Sequence, residues 1–127
     1  MREEFQLAAD TTAIKLLYSN ETSVLIFLQT LFNQEASANY STLTRALEAY
    51  HNKDGGSPVV TQLELIDAKF DPLKKFGSFR ARFSLHFHYT CSDVHNDAKD
   101  TISWDFKVDE QTGTIHFTGE EPWVRDV

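Results

Sequence analysis

Between Phe79 and Cys91 the chain alternates without a break. Phe79, Ala81, Phe83, Leu85, Phe87, Tyr89 and Cys91 are apolar, while Arg80, Arg82, Ser84, His86, His88 and Thr90 are polar. Successive side chains of a strand point to opposite faces, so this period predicts one long strand with an apolar side and a wet, basic side. At about 3.3 Å per residue it would run roughly 40 Å. A strand that long in a small domain must twist and curl around other structure.

The first half of the chain has a different period. Residues 3–18 place Phe5, Ala8, Ala9, Ile14, Leu17 and Tyr18 at spacings of three to five, an imperfect helical stripe. Asn20, Thr22 and Ser23 offer caps for a second helix to about Asn33. Val24–Leu28, Leu31 and Phe32 are apolar around most of its circumference, so it should be largely buried. Ser41 opens a third helix with Leu43, Ala46, Leu47 and Tyr50 on one side. HNKDGGSP, residues 51–58, is a strong breaker that ends the helical half, residues 1–50.

Residues 59–118 read as antiparallel sheet. Val59, Thr61, Leu63 and Leu65 share one face, yet Ile66, Ala68 and Phe70 share the other. A bulge near Leu65–Ile66 would bring both sets to the core. Asp71-Pro72 begins a turn into the long strand, and SDVHNDAKD, residues 92–100, reads as a loop. Ile102, Trp104, Phe106 and Val108 alternate again. The segment DEQTG then forms a hairpin loop with Gly113 at positive φ, and Ile115 and Phe117 return inward. The tail is expected to be ordered only as far as Trp123. The predicted class is α+β: two or three N-terminal helices on a curved antiparallel sheet of about four strands, in one domain over residues 1–127.

Composition narrows the partners. The chain has 127 residues, 41% hydrophobic and 13% aromatic with ten Phe, enough for a ring-rich core. A net charge of −7 argues against nucleic acid and against an anionic membrane surface. It would steer the chain toward a basic protein. The single cysteine, Cys91, allows no internal disulfide and reads as a buried thiol in a reducing compartment. The acidic N-terminal segment MREEFQLAADT lacks the character of a signal peptide, and the longest apolar run, Val24–Leu28, is far short of a membrane span. A cytoplasmic location is expected; a domain of a larger protein would read the same way.

Helices followed by the alternating strand 79–91 and the hairpin ISWDFKVDEQTGTIHF, 102–117, resemble the cystatin-like cone of the nuclear-transport-factor-like superfamily. That resemblance covers most of the chain and rests on element order. It implies helices wrapped by a curved sheet, in a family that hosts isomerases, dehydratases, transport adaptors, secretion-channel domains and immunity proteins. Fold alone therefore selects no function. Enzymes of that family resemble one another in placing an acid, a His or a Tyr inside the cone. Here the inward positions of the last three strands hold no carboxylate or histidine, and only Tyr89, Asp67 or Tyr50 would bring a titratable group near.

The remaining chemistry is on the polar face. His86 and His88 share it and His116 could join them as zinc ligands, but no Cys or carboxylate at ligand spacing completes a site, and His51 and His95 fall in predicted loops. No metal or other cofactor is expected. Ser84, His86 and Asp105 lack the sharp, glycine-flanked turn that would mark a nucleophile. Arg80, Arg82, His86, His88, Asp105 and His116 form the candidate partner-binding face, with Asp105 expected to pair across strands with an arginine. Tyr50, Tyr89 and Trp104 are the candidate pocket lining. The expected function is a non-catalytic binding protein, an acidic inhibitor or immunity-type protein that covers a basic toxin or nuclease. The polar face could also join two copies of the chain. A ligand-binding or isomerase-like cone and a soluble domain of a secretion or conjugation assembly are the alternatives.

Overall fold

The computed structural model describes residues 2–32, 38–51, 57–88 and 95–121, with the backbone alone at residues 57, 88, 95 and 96. Its order is β1 (Glu4–Ala8), α1 (Thr11–Tyr18), α2 (Val24–Phe32), α3 (Ala38–Ala49), β2 (Ser57–Asp71), β3 (Phe76–His88), β4 (His95–Asp109) and β5 (Thr114–Gly119). The strands form one antiparallel sheet in the order β1-β5-β4-β3-β2. The helices precede most of the strands and pack on one face, with α2 and α3 against β2. This is the expected α+β class with one strand more than the expected four. No helix among the described residues is long and apolar enough to cross a membrane.

The extra strand corrects the helix expected over residues 3–18. Phe5 and Leu7 alternate with exposed Glu4, Gln6 and Ala8. β5 would otherwise present an unpaired row of backbone groups, and β1 pairs with it from Glu4↔Thr118 to Ala8↔Thr114. Phe5 stacks on its cross-strand neighbour Phe117 at a ring distance of 5.0 Å. The helix begins only after Asp10, whose Oδ1 caps it by accepting from the Thr12 N–H at 3.1 Å.

The second helix follows its expectation closely. Ser23 Oγ accepts from the Ile26 N–H at 3.1 Å, and Phe27, Leu28 and Phe32 are buried. Ile26 is the exception, exposed on the outer side. The third helix starts at Ala38, three residues before Ser41, and buries Leu43, Ala46 and Leu47 as its stripe requires.

β2 resolves its phase conflict with two bulges. Register shifts fall between Thr61 and Glu64 and between Ile66 and Lys69, and Gln62 and Asp67 take positive φ there. Each extra residue flips the faces once. Val60, Leu65 and Phe70 therefore all stand opposite inward residues of β3, namely Leu85, Ala81 and Gly77. The single bulge expected at Leu65–Ile66 is replaced by these two, and Val59 and Thr61 turn outward. The bulges also disrupt the free edge of β2, which disfavours strand addition from another chain.

β3 alternates as expected but occupies Phe76–His88; Tyr89, Thr90 and Cys91 lie outside the described residues, as do the residues beyond Glu121. The polar segment expected as a loop is strand from His95, because its backbone pairs directly with β3 from His88↔His95 to Phe76↔Lys107. The β4–β5 hairpin is as expected. Gly113 has φ +67°, and Asp109 Oδ1 accepts from the Gln111 N–H at 3.0 Å.

The core is a continuous cluster of rings and aliphatic groups. Phe79, Phe106 and Phe117 meet within 6.3 Å of one another by ring distance, and Phe32 of α2 closes on Phe79 and Phe117. Each buried Phe contributes roughly 1.5–3 kcal/mol before conformational entropy is charged. Among the described residues, no polar or charged residue is fully buried.

The outward face of the sheet as candidate functional site

The polar side chains of β3 are held outward by the same alternation that buries Phe79–Phe87. Neighbouring strands decide what each of them meets. Arg82 donates to Glu64 Oε2 at 2.7 Å, and Arg80 lies 3.7 Å from Asp67. The Glu64 hydrogen bond, then its charge, raises the Arg82 guanidinium above its usual range. His86 Nδ1 lies 2.7 Å from Asp97 Oδ1, and Ser84 Oγ donates to Gln62 Oε1 at 3.0 Å. The stripe read as basic is therefore matched by acids of β2 and β4. These exposed pairs are screened by solvent and contribute little stability. Their effect is on the pattern of charge offered to a partner.

The arginine partners are Asp67 and Glu64, which corrects the pairing expected for Asp105. Asp105 stands opposite Ser78 and Thr118 in register, away from both guanidinium groups. His116 is also elsewhere. It is bracketed by Glu4, 3.6 Å from Nε2, and by Gln6, 3.2 Å from Nδ1. It stands opposite Lys107, itself opposite Phe76, whereas His86 stands opposite Asp97. Ten residues of β3, roughly 33 Å of strand, separate those levels. A zinc cluster of His86, His88 and His116 is thus not assembled, and no group of three ligating side chains is present among the described residues.

Shallow hollows mark the outward face at both ends. One, of about 660 Å³, is lined by Gln6, Lys75, Lys107, Thr114 and His116. The other, of about 630 Å³, is lined by Gln62, Ser84, His86, Asp97 and Lys99. Apolar surface is interspersed: Val59 is 49% exposed and Phe76 43% exposed.

The inner side accounts for the candidate pocket residues. Trp104 is 1% exposed and packs edge-on against Tyr50 at 6.4 Å. Gly119 makes room for both, since a Cβ there would lie 2.3 Å from the Tyr50 hydroxyl. That hydroxyl donates to the Glu120 carbonyl at 2.6 Å and accepts from the Glu3 N–H at 3.3 Å. Tyr50 thus ties the end of α3 to the start of β1 and the end of β5, which lie side by side, and Trp104 presents no surface to a ligand. Its indole N–H has no acceptor among the described residues. Tyr89 lies outside them.

Sequence reasoning missed one pair. His51, expected in an unstructured breaker, lies 2.7 Å from Asp100 Oδ2, with both side chains under one-fifth exposed. Its ring stands edge-on to Phe83 and Phe87. Asp100 falls on the inward phase of β4, a position that the alternation of Ile102 and Trp104 extends to once the strand is known to continue. No family model matches this chain, and neither a curated protein nor a solved structure matches it.

Proposed function

We propose that this chain is a non-catalytic binding protein that covers a protein partner with the outward face of its sheet, as an inhibitor or immunity-type protein does. The carrying observation is that face itself: exposed Val59 and Phe76 share it with the arginine–carboxylate pairs of β2 and β3 and the His86–Asp97 contact of β3 and β4. Apolar anchors within a polar surround resemble the make-up of protein interfaces. The ring-filled inner side favours this reading over a ligand-holding cone. The cystatin-like resemblance belongs to this proposal as an analogy of fold, and its family includes immunity proteins among several functions.

The outward face mixes both signs, so its pairs would set register. The −7 charge of the whole chain would steer a basic partner such as a toxin or nuclease, giving salt-sensitive association. The test compares immobilised wild type, the double variant Phe76→Ser with Arg82→Glu, and Lys15→Glu on the far helical side, in native lysate of the source cells. A stoichiometric basic protein held by wild type and Lys15→Glu, and lost at least tenfold by the double variant, is the expected result. Recovery of no such protein, or equal recovery by the double variant, overturns the proposal.

A further inference from the structure

The two edges of the sheet are not alike. β2 is broken by bulges, whereas β1 pairs with β5 from Glu4↔Thr118 to Ala8↔Thr114 with no register shift and no positive φ. Its hydrogen bonds fix which way its backbone points. The Gly119 N–H donates to the Glu3 carbonyl and the Ala9 N–H donates to the Gly113 carbonyl, each at 2.8 Å. In an antiparallel ladder every second residue bonds the same neighbour. Phe5 and Leu7 therefore turn their backbone groups toward β5, and Glu4, Gln6 and Ala8 turn theirs to the open edge. All three are exposed, and no bond to those edge groups is present among the described residues.

An open, regular edge is a template for another extended strand. The sequence around β1 complements its own copy. In an antiparallel pair centred on Gln6, Glu4 of one copy meets Ala8 of the other and Gln6 meets Gln6. The flanks match in charge. Arg2, whose side chain is 48% exposed beside Glu121, would stand opposite Asp10, whose backbone is still extended at φ −64° and ψ 132°. Asp10 Oδ1 caps α1, and the second oxygen of that carboxylate remains to meet a cation. A register in which Glu4 met Asp10 instead would juxtapose like charges. On the inner side Phe5, partly exposed in one chain, would stand beside Leu7 of the other.

We infer that β1 is a self-association edge: two copies of the chain pair β1 to β1, antiparallel about a twofold axis at Gln6, into one continuous sheet. The contact is isologous, so each pair off the axis occurs twice. It is independent of the partner proposed above, because edge pairing leaves the outward face open. A ladder of five residues is small beside a standard interface of about 800 Å² per partner, so the dimer is weak and dissociates on dilution. The −7 charge on each chain opposes it further.

The test is sedimentation equilibrium of the full chain from dilute to concentrated solution, where a reversible monomer–dimer equilibrium is expected. Ala8→Glu sets a carboxylate opposite Glu4 of the second copy and should weaken the dimer at least tenfold, whereas Ala8→Lys should not weaken it. Gln6→Pro removes an edge donor that β5 does not use and should also weaken the dimer at least tenfold; within the chain it loses the exposed contact with His116. Far-UV circular dichroism and thermal unfolding verify that each variant is folded, and the exposed Ala8 pair carries the test if Gln6→Pro does not fold. Phe76→Ser with Arg82→Glu, on the outward face, should dimerise as wild type does. A wild type that stays monomeric at its highest soluble concentration overturns the inference. So does a dimer that survives Ala8→Glu, that Ala8→Lys weakens equally, that survives a folded Gln6→Pro, or that the outward-face variant dissociates.

Discussion

Gly77 offers a sharp test of the packing, because two rings from opposite sides cover it. It stands opposite Phe70 of β2 and Phe106 of β4, and those rings stack 5.9 Å apart with planes 4° from parallel. A Cβ on Gly77 would lie 2.3 Å from Phe106 Cζ and 2.5 Å from the Lys69 carbonyl oxygen. The ring can tilt, but the carbonyl belongs to the bulged backbone of β2. Overpacking a core costs about 1–3 kcal/mol, and a backbone obstacle places Gly77→Ala at the upper end. The substitution also removes freedom from the unfolded chain, which offsets about 0.4–1 kcal/mol. The net loss is therefore about 2 to 3 kcal/mol, or roughly 10 °C in Tm for a domain of this size. Urea unfolding followed by tryptophan fluorescence measures it. In a Phe106→Leu background the same change should cost less, since one of the two obstacles is smaller. A loss under about 1 kcal/mol, or strict additivity with Phe106→Leu, would refute the stacked-ring account of this glycine.

Two further expectations concern charge and pH. Burial, then the nearby Glu110 carboxylate, raises the Tyr18 phenol above its ordinary value, although the hydroxyl makes no geometric hydrogen bond with Glu110. The unfolded phenol ionises at about pH 10 and the folded one higher, so stability is intact below that pH and declines as pH rises toward the folded value. Tyr18→Phe should flatten this alkaline decline in pH-dependent urea unfolding and cost little at neutral pH, since it removes a buried hydroxyl without a partner; an unchanged decline would contradict it. Asp100→Ala, which strips a largely buried partner from His51, should cost about 1–3 kcal/mol by thermal unfolding, whereas Arg82→Ala, at an exposed and solvent-screened pair, should leave stability nearly unchanged. Equal losses at the two sites would contradict the weight given to burial.

The helical and strand halves were legible because burial imposes a local period. Phe79, Ala81, Phe83, Leu85 and Phe87 alternate as a strand does, and the apolar run after Ser23 suited a buried strand or a helix until Leu31 and Phe32, at helical spacing, favoured the helix. Phe5 and Leu7 were misread because five residues fit two periods, and the free edge of β5 decided between them. β2 was harder still: its phase conflict signalled a bulge, but the number and position of bulges follow from the register with β3.

The candidate site divides in the same way. The sequence placed Arg80, Arg82, His86 and His88 on one face, since facing is a property of a single strand. Their partners belong to other strands. Glu64 and Asp67 reach the arginines only through the β2 bulges, and Asp97 reaches His86 only because β4 begins before its apolar alternation does. Polar strand residues leave no hydrophobic period to read, so the sequence showed residues 95–100 as a loop. Alternation along one strand determined which side chains face outward; backbone pairing between strands distant in sequence decided which of them meet.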